Sequence, residues 1–596
     1  MKPSSCMPTM LRPEVDLVVL GSGAGGLAAA VTAAAKGLTV AVFEKDAVLG
    51  GTTAWSGGWM WIPCSGVEQP PSDDSLDKVA TYLASELGAA FARQKDKIDA
   101  YLKTGPEMVR FFEQLPNAEF HFETDPRQPD FHASAGSHAG RALRACSFDG
   151  RKLGKDIAWL RPPLYELTLW GMGIESGKEL NYFFNASRSL YALGYVAWRL
   201  ARYARDWLVY GRDMHLVNGN ALVARLLAAA FQIECDACKP QTGHGAFERI
   251  GLFPSHPVRR LILDGNGRVC AAVVATPDGE REIFAKHGVV LACGGFPHDV
   301  ERLRQCIAHA PNGYEHLSAA PICNTGDGLQ MGEMAGGQVK PTQAAPAAWT
   351  PVSRYRRRDG STAVYPHLVE RAKPGVIAVN RAGQRFCDEA GAYHDVVKHW
   401  IDTSPADGPL HAWLICDRRF LWRYGLGAVS PRTPFTPLPV WALWTDYLKV
   451  SRTIEGLARA CGIESSALRA TVDRYNHFAP ASDPDFQRGE NPYDRYQGDA
   501  RTQPNPCLAP IIHAPFFAVR LEPGSLGTFA GLESDAQGHV LRANGEPIPG
   551  LYACGNDMAP VMGGFYPSGG ITVGAAMTFG YAVGKNVAGE PSKGPP

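Results

Sequence analysis

The 596-residue sequence has no charge imbalance: 59 Lys and Arg stand against 59 Asp and Glu. That excludes the basic footprint by which proteins grip nucleic acid. No uncharged apolar run reaches the ~20 residues that span a bilayer. The N-terminal MKPSSCMPTMLRPEVD has neither a long apolar core nor a clear cleavage site, so no secretory signal is read there. Cysteines number 14, but they are scattered, and Cys235-x-x-Cys238 is the only C-x-x-C. One pair cannot close a tetrahedral zinc site, so no metal is expected. Reduced thiols in a cytoplasmic protein are expected. No internal repeat is visible. Disorder is excluded too, because 45% of the residues are apolar and only 20% charged.

Glycine is plentiful, with 64 residues gathered in short bursts. Such bursts suit a backbone that approaches a ligand closely. The first follows an apolar strand, Val15 to Leu20, and reads GSGAGG from Gly21 to Gly26. An alanine-rich helix runs on to Gly37, and a second apolar strand ends at Glu44. Strand, G-x-G-x-x-G, helix, strand and acid make up a dinucleotide-binding unit. Gly21 permits the tight turn, Gly23 lets pyrophosphate approach, and Gly26 lets helix and strand pack; Ala24 and Gly25 open the helix. The helix N-terminus offers N–H groups and a favourable dipole to phosphates. Glu44, 18 residues after Gly26, is placed to accept ribose hydroxyls, with Lys45 beside it.

The next segment selects FAD over a nicotinamide cofactor. Gly50, Gly51, Thr52, Thr53, Ser56, Gly57 and Gly58 follow the ribose-binding strand directly. Small residues there can lie against pyrophosphate and flavin, with hydroxyls and amides pointing inward. Only one dinucleotide fingerprint exists, so NAD(P) is not implied.

From these motifs the sequence resembles the flavoprotein subunits of succinate dehydrogenase and fumarate reductase, and within them the 3-ketosteroid Δ1-dehydrogenases. HGVVLACGGF (with Ala292 and Gly294), NTGDGLQMGEMAGG and GLYACGNDMAPVMGGFYPSGGITVGAAMTFG (with Gly555, Asn556, Ile571 and Thr572) match in order along nearly the whole chain. The resemblance implies an α/β fold: a Rossmann-like FAD-binding domain with an inserted α+β capping catalytic domain. Residues 15–344 and 514–589 would form the FAD-binding parts and 345–513 the cap. A helical insertion lies at 164–215, and the tail from Gly589 is expected to be disordered. No counterpart of the respiratory enzymes' flavin-linking histidine stands near Thr52 to Ser56, so FAD would be non-covalent.

The resemblance also implies site residues. Tyr566 and the Gly570 amide, in FYPSGG, would bind a ketone oxygen. Tyr393, in GQRFCDEAGAY, would remove the α-proton while a hydride passes to flavin N5. Asp388 stands where asparagine is usual. Phe131, followed by His132, replaces a further tyrosine, and His132 is a candidate substitute. The Tyr-x-Ser spacing that adds Ser568 is similar to that of the Δ4-(5α)-dehydrogenases. The expected function is therefore an FAD-dependent oxidoreductase that introduces a C=C bond beside a ring ketone of an apolar, steroid-like substrate, most closely 3-ketosteroid Δ1-dehydrogenation. A quinone or other acceptor would reoxidise it. Δ4-(5α)-dehydrogenation and desaturation of a smaller cyclic ketone remain alternatives. A fumarate-reductase activity lacks the arginine and cationic groups that clamp two carboxylates, and a non-catalytic electron carrier leaves the cap unexplained. Finally, residues 183–210 carry Tyr191, Tyr195, Trp198, Arg199, Arg202 and Trp207 at near-helical spacing. Two readings stand: a helix in peripheral contact with a membrane, or one packed on protein.

Overall fold

The computed structural model describes residues 10–67, 73–116, 119–237, 247–342, 344–357, 359–404, 410–431 and 439–589. Cys238 and all but the first residue of the expected disordered tail lie outside these.

The fingerprint folds as read. A strand Glu14–Leu20 turns into the helix Ala24–Ala35 and returns as Val40–Phe43. Five strands run parallel in the order Pro547–Ala553, Gly279–Leu291, Glu14–Leu20, Val40–Phe43, Ile250–Phe253. Val15 and Leu17 to Leu20 are buried, as expected of a strand with both faces covered. The C-terminal helix Ile571–Val587 packs on the helix Ala24–Ala35. Small residues make this possible: a Cβ on Gly580 would stand 2.2 Å from the Gly25 carbonyl oxygen, and one on Gly584 would stand 2.6 Å from that of Ala29. The strand Pro547–Ala553 and the helix Ile571–Val587 are thus built onto the N-terminal unit, which joins distant stretches of chain into one cofactor domain.

A second sheet has seven strands, and its spine is the strand Phe516–Thr528. That strand pairs with Ala347–Arg356, Ala412–Asp417 and Leu448–Ser451, all antiparallel. The expected boundary between 513 and 514 is corrected accordingly. Phe516 to Thr528 complete the cap sheet, because their backbone groups are paired with cap strands on both edges. The end of the same strand then delivers Leu526 and Gly527 to the cofactor cleft.

A helix Tyr393–Thr403 lies on this sheet, and the Trp349 N–H donates to His394 Nδ1 at 3.2 Å. The loop that leads into the helix is fixed by a buried ion network. Glu389 accepts from Arg385 at 2.7 Å and Arg488 at 3.0 Å, and Arg385 also reaches Asp483 at 2.8 Å. In the insertion, helices Lys178–Asn185 and Leu190–Tyr210 are tied by buried Arg199 to Glu179 and Asp213. Arg199 is therefore not part of an outward basic stripe. Removing Glu389 leaves buried Arg488 with no carboxylate and Arg385 with Asp483 alone, so Glu389→Ala is expected to lose about 3–5 kcal/mol of stability, read as a fall in the thermal unfolding midpoint.

Candidate active site

A cleft of about 1500 Å³ opens at the C-terminal ends of the parallel strands. Gly21, Gly23, Ala24, Gly25, Glu44, Lys45, Gly51, Thr52, Thr53, Ser56, Gly57, Ala292, Gly294, Gly555, Asn556 and Thr572 all line it. Residues from four separate stretches of sequence thus converge as expected. Gly21 has φ +100°, and a Cβ there would stand 2.2 Å from the Ala292 carbonyl oxygen. Gly23 differs: its Cβ would meet only Thr53 Oγ1, at 3.7 Å, so the space over the turn is open.

Two of the glycines assigned to the cofactor site lie behind the cleft rather than along it, Gly26 in the packing role read for it from the fingerprint. A Cβ on Gly26 would sit 2.1 Å from the Gly21 carbonyl oxygen, and one on Gly58 would sit 2.5 Å from Asn218. Both are packing glycines, not lining ones. Ile571 lines a second cavity of about 370 Å³, which shares Gly555, Asn556 and Thr572 with the cleft. Lys45 reaches the cleft but bonds Asp327 at 2.8 Å and Thr325 at 2.7 Å.

The sequence reading missed two residues of the wall, Ser22 and Asn324, and one buried behind it, Asp557. Ser22 donates its hydroxyl to Glu44 at 2.6 Å and accepts from the Gly50 N–H at 2.9 Å, so it ties both glycine turns to the acid. Asn324 donates to Thr52 Oγ1 at 3.0 Å. Asp557 accepts the N–H groups of Cys293 at 2.5 Å and Gly295 at 2.9 Å, and burial pushes its carboxyl up to about 6. Asn324 and Asp557 sit inside quoted motifs, but their bonds join segments hundreds of residues apart.

Where the C-terminal helix begins, two phenols meet. Tyr393, the first residue of the cap helix, donates its hydroxyl to that of Tyr566 at 2.9 Å. Four residues after Tyr566, Gly570 caps the helix Ile571–Val587 with φ +98°. A Cβ there would lie 2.7 Å from the Met60 nitrogen, so only glycine fits. The positive end of the helix dipole therefore lies beside the phenol pair. Burial raises both phenols above the ordinary tyrosine range, Tyr393 well above it. The Tyr393 and Thr572 hydroxyls pull Tyr566 back down.

The departures from the family pattern now have structural reasons. Phe131 stacks on Tyr566 (centroids 5.7 Å apart, planes at 8°) and stands edge-on to Tyr393 at 5.5 Å. It shapes the phenol pair without a hydroxyl. His132 is not its substitute. The imidazole is clamped between Glu86 and Asp395, the latter at 2.6 Å. Burial pulls its proton affinity down, but the two carboxylates outweigh burial and lift it to about 10. It remains a cation joining the cofactor domain to the cap helix. Ser568 is also corrected: it is buried and its hydroxyl bonds Asp130, which Trp61 and Arg141 also hold, each at 2.7 Å. The hydroxyl is committed there and makes no bond with the phenols.

Against known proteins, residues 16–573 match the family model described as FAD binding domain. The chain is 34% identical over 577 residues to the 4-oxocyclohex-2-ene-1-carboxylate 5-dehydrogenase of Sinomonas cyclohexanicum, covering 96% of this chain and 93% of that one. It is also 34% identical over 600 residues to the 3-oxosteroid 1-dehydrogenase of Mycolicibacterium smegmatis, covering 97% and 98%. The 3-ketosteroid Δ1-dehydrogenase of Sterolibacterium denitrificans, solved with 1,4-androstadiene-3,17-dione, superposes with a TM-score of 0.84 at 32% identity, covering 97% of this chain and all of that one. The chain belongs to this FAD-binding family.

FAD fits the flavoprotein's cleft on local grounds. The turn at Gly23 leaves room for pyrophosphate, Glu44 is held ready at the ribose position, and threonine and asparagine side chains line the middle. Among the described residues no group of His, Cys, Asp and Glu could hold a metal. Gly21→Ala forces a Cβ into the Ala292 carbonyl at an unfavourable backbone angle. The purified variant is expected to retain little flavin, measured as flavin absorbance per chain against wild type.

Proposed function

We propose that this flavoprotein desaturates the carbon–carbon bond beside a ring ketone, with 3-ketosteroid Δ1-dehydrogenation as its reaction. The observation that carries the proposal is the 2.9 Å contact between the Tyr393 and Tyr566 hydroxyls at the Gly570 helix cap. Removing an α-proton and stabilising the enolate oxygen are separate tasks that need two groups close together. Tyr566 and the Gly570 N–H bind the ketone oxygen. Tyr566 donates to the ketone, and Tyr393, after releasing its own proton, accepts the α-proton as a phenolate while the C–H electron pair stays on the substrate as enolate. Bound in the cleft, FAD supplies the hydride acceptor for the β-carbon. The proton leaves through the phenols, with Phe131 excluding water from one face of the pair.

Substrate class follows from charge. Among the described residues, Lys45 is the only Lys, Arg or His lining either cavity, and it is committed to Asp327 and Thr325. The smaller cavity is walled by Phe529, Met558, Val561, Met562, Phe565 and Ile571. An apolar ketone such as a steroid suits this wall better than a ring carboxylate. The same absence of cations argues against a dicarboxylate.

The acceptor we propose is a quinone, and the insertion a membrane-surface contact. On the helix Leu190–Tyr210, Leu190, Tyr191, Trp207 and Leu208 are 89, 72, 56 and 78% exposed, and Arg205 lies among them. Such an apolar-aromatic face with arginine suits an anionic lipid surface, where apolar substrate and quinone both dissolve. Among the described residues no helix is long and apolar enough to cross a membrane.

Three outcomes are expected. Tyr393→Phe keeps FAD but slows anaerobic flavin reduction by a 3-ketosteroid about 10²–10⁴-fold in stopped flow. Because burial raises the Tyr393 phenol and only its ionised form is a base, that reduction rate climbs with pH through the alkaline range. Trp207→Glu with Leu208→Glu lowers co-sedimentation with anionic vesicles while leaving turnover of dispersed substrate unchanged.

A further inference from the structure

Three buried arginines surround the loop that carries Tyr393 into place, and one differs from the others. Arg385 is neutralised by Glu389 and Asp483, and Arg488 by Glu389. Arg371 makes no ion pair among the described residues, although it is only 2% exposed. Its Nε donates to the His367 carbonyl at 3.0 Å and its Nη1 to the Glu389 carbonyl at 2.5 Å. Both acceptors are neutral, and its Nη2 has no hydrogen-bond partner. An uncompensated buried guanidinium is costly, and a fold seldom keeps one without a use for its field.

The anchor shows where that field falls. Glu389 lies four residues before Tyr393, so the guanidinium is tied to the loop that sets the first residue of the cap helix. Its charge lowers the proton affinity of Tyr393 and of Tyr493, whose ring packs 4.7 Å from Phe131. The phenols themselves act the other way, since Tyr566 and Tyr493 both raise Tyr393. No hydroxyl at position 131 is present to share the charge of an ionised Tyr393.

Resting on the proposed role of Tyr393 as base, we infer that Arg371 is a positioning residue: its unpaired charge stabilises the phenolate that Tyr393 must become before it accepts the α-proton. The step balances simply. The phenolate oxygen takes the proton, and the C–H electron pair stays on the substrate as enolate. Other charges near the pair are accounted for. His132 is balanced by Glu86 and Asp395, and burial holds His394 down at about 4. Asp388 and Asp494 form a carboxyl pair whose mutual repulsion and burial push Asp494 up to about 8. Lys373, close to Arg371 in sequence, donates to the carbonyls of Gln497 and Gly498. Glu370, also adjacent, is bound by His367 at 2.6 Å.

The test is the pH profile of anaerobic flavin reduction in FAD-loaded enzyme, with flavin content and unfolding midpoint measured alongside. Arg371→Met is expected to move the midpoint of the alkaline rise upward by about one pH unit or more, as loss of one nearby buried charge implies. Arg371→Lys keeps the charge and keeps the midpoint near that of wild type. Should Arg371→Met not load FAD, Arg371→Gln is measured in its place with the same expectation. An unmoved midpoint in the uncharged variant, or an equal shift in Arg371→Lys, overturns the inference. Tyr393→Phe run in parallel separates the two ideas: normal flavin reduction there overturns the base assignment itself, whereas a slow Tyr393→Phe with an unmoved Arg371→Met profile overturns only the role of Arg371.

Discussion

The contact between two phenols, 173 residues apart in sequence, is the constraint that organises this protein. Both hydroxyls are desolvated, so each needs a partner, and each supplies the other's. That requirement holds a cap helix against the end of a cofactor-domain helix. The architecture on either side serves the same closure. The Glu389 network fixes the approach to Tyr393, and the Asp130–Ser568 bond fixes the turn that follows Tyr566. The cation at His132 pins the cap helix to the cofactor domain from the outside.

Electrostatics divide the site into two regions. The cofactor cleft presents a helix N-terminus, backbone amides and an acid prepared for a dinucleotide. The adjoining cavity is apolar, and no described residue lining it is a cation. A charged substrate would lose its hydration there without compensation, whereas an apolar ring ketone loses little. His132, Arg385 and Arg488 are each balanced by carboxylates, whereas Arg371 is not. An unpaired charge in such a place biases the protonation of its neighbours more strongly than a surface charge would.

Phe131 shows how a substitution is absorbed. Its ring keeps the stacking that orients Tyr566, so the loss of a hydroxyl there is chemical and leaves packing intact. Proton affinity at Tyr393 then depends on what remains nearby, which is Tyr493, Tyr566 and the guanidinium behind the loop.

The nucleotide fold was legible from the chain because its signals are local. A strand, a glycine turn, a small-residue helix and an acid at fixed spacing report on one another within thirty residues. The placement of Tyr393, Tyr566 and Gly570 was legible through family resemblance, which carries positions though not their surroundings. The commitments of Ser568 and His132 were not visible, since their partners Asp130, Glu86 and Asp395 lie far off in sequence and only packing chooses among many polar residues. The same holds for Gly58, where the backbone of Asn218 leaves no room for a Cβ, and for Phe516 to Thr528, whose hydrogen bonds assign the strand to the cap. Sequence determined which elements form and which cofactor the first turn receives. Tertiary structure alone decided which buried charges are neutralised and which hydroxyls remain available, because burial and pairing depend on distances that no spacing along the chain encodes.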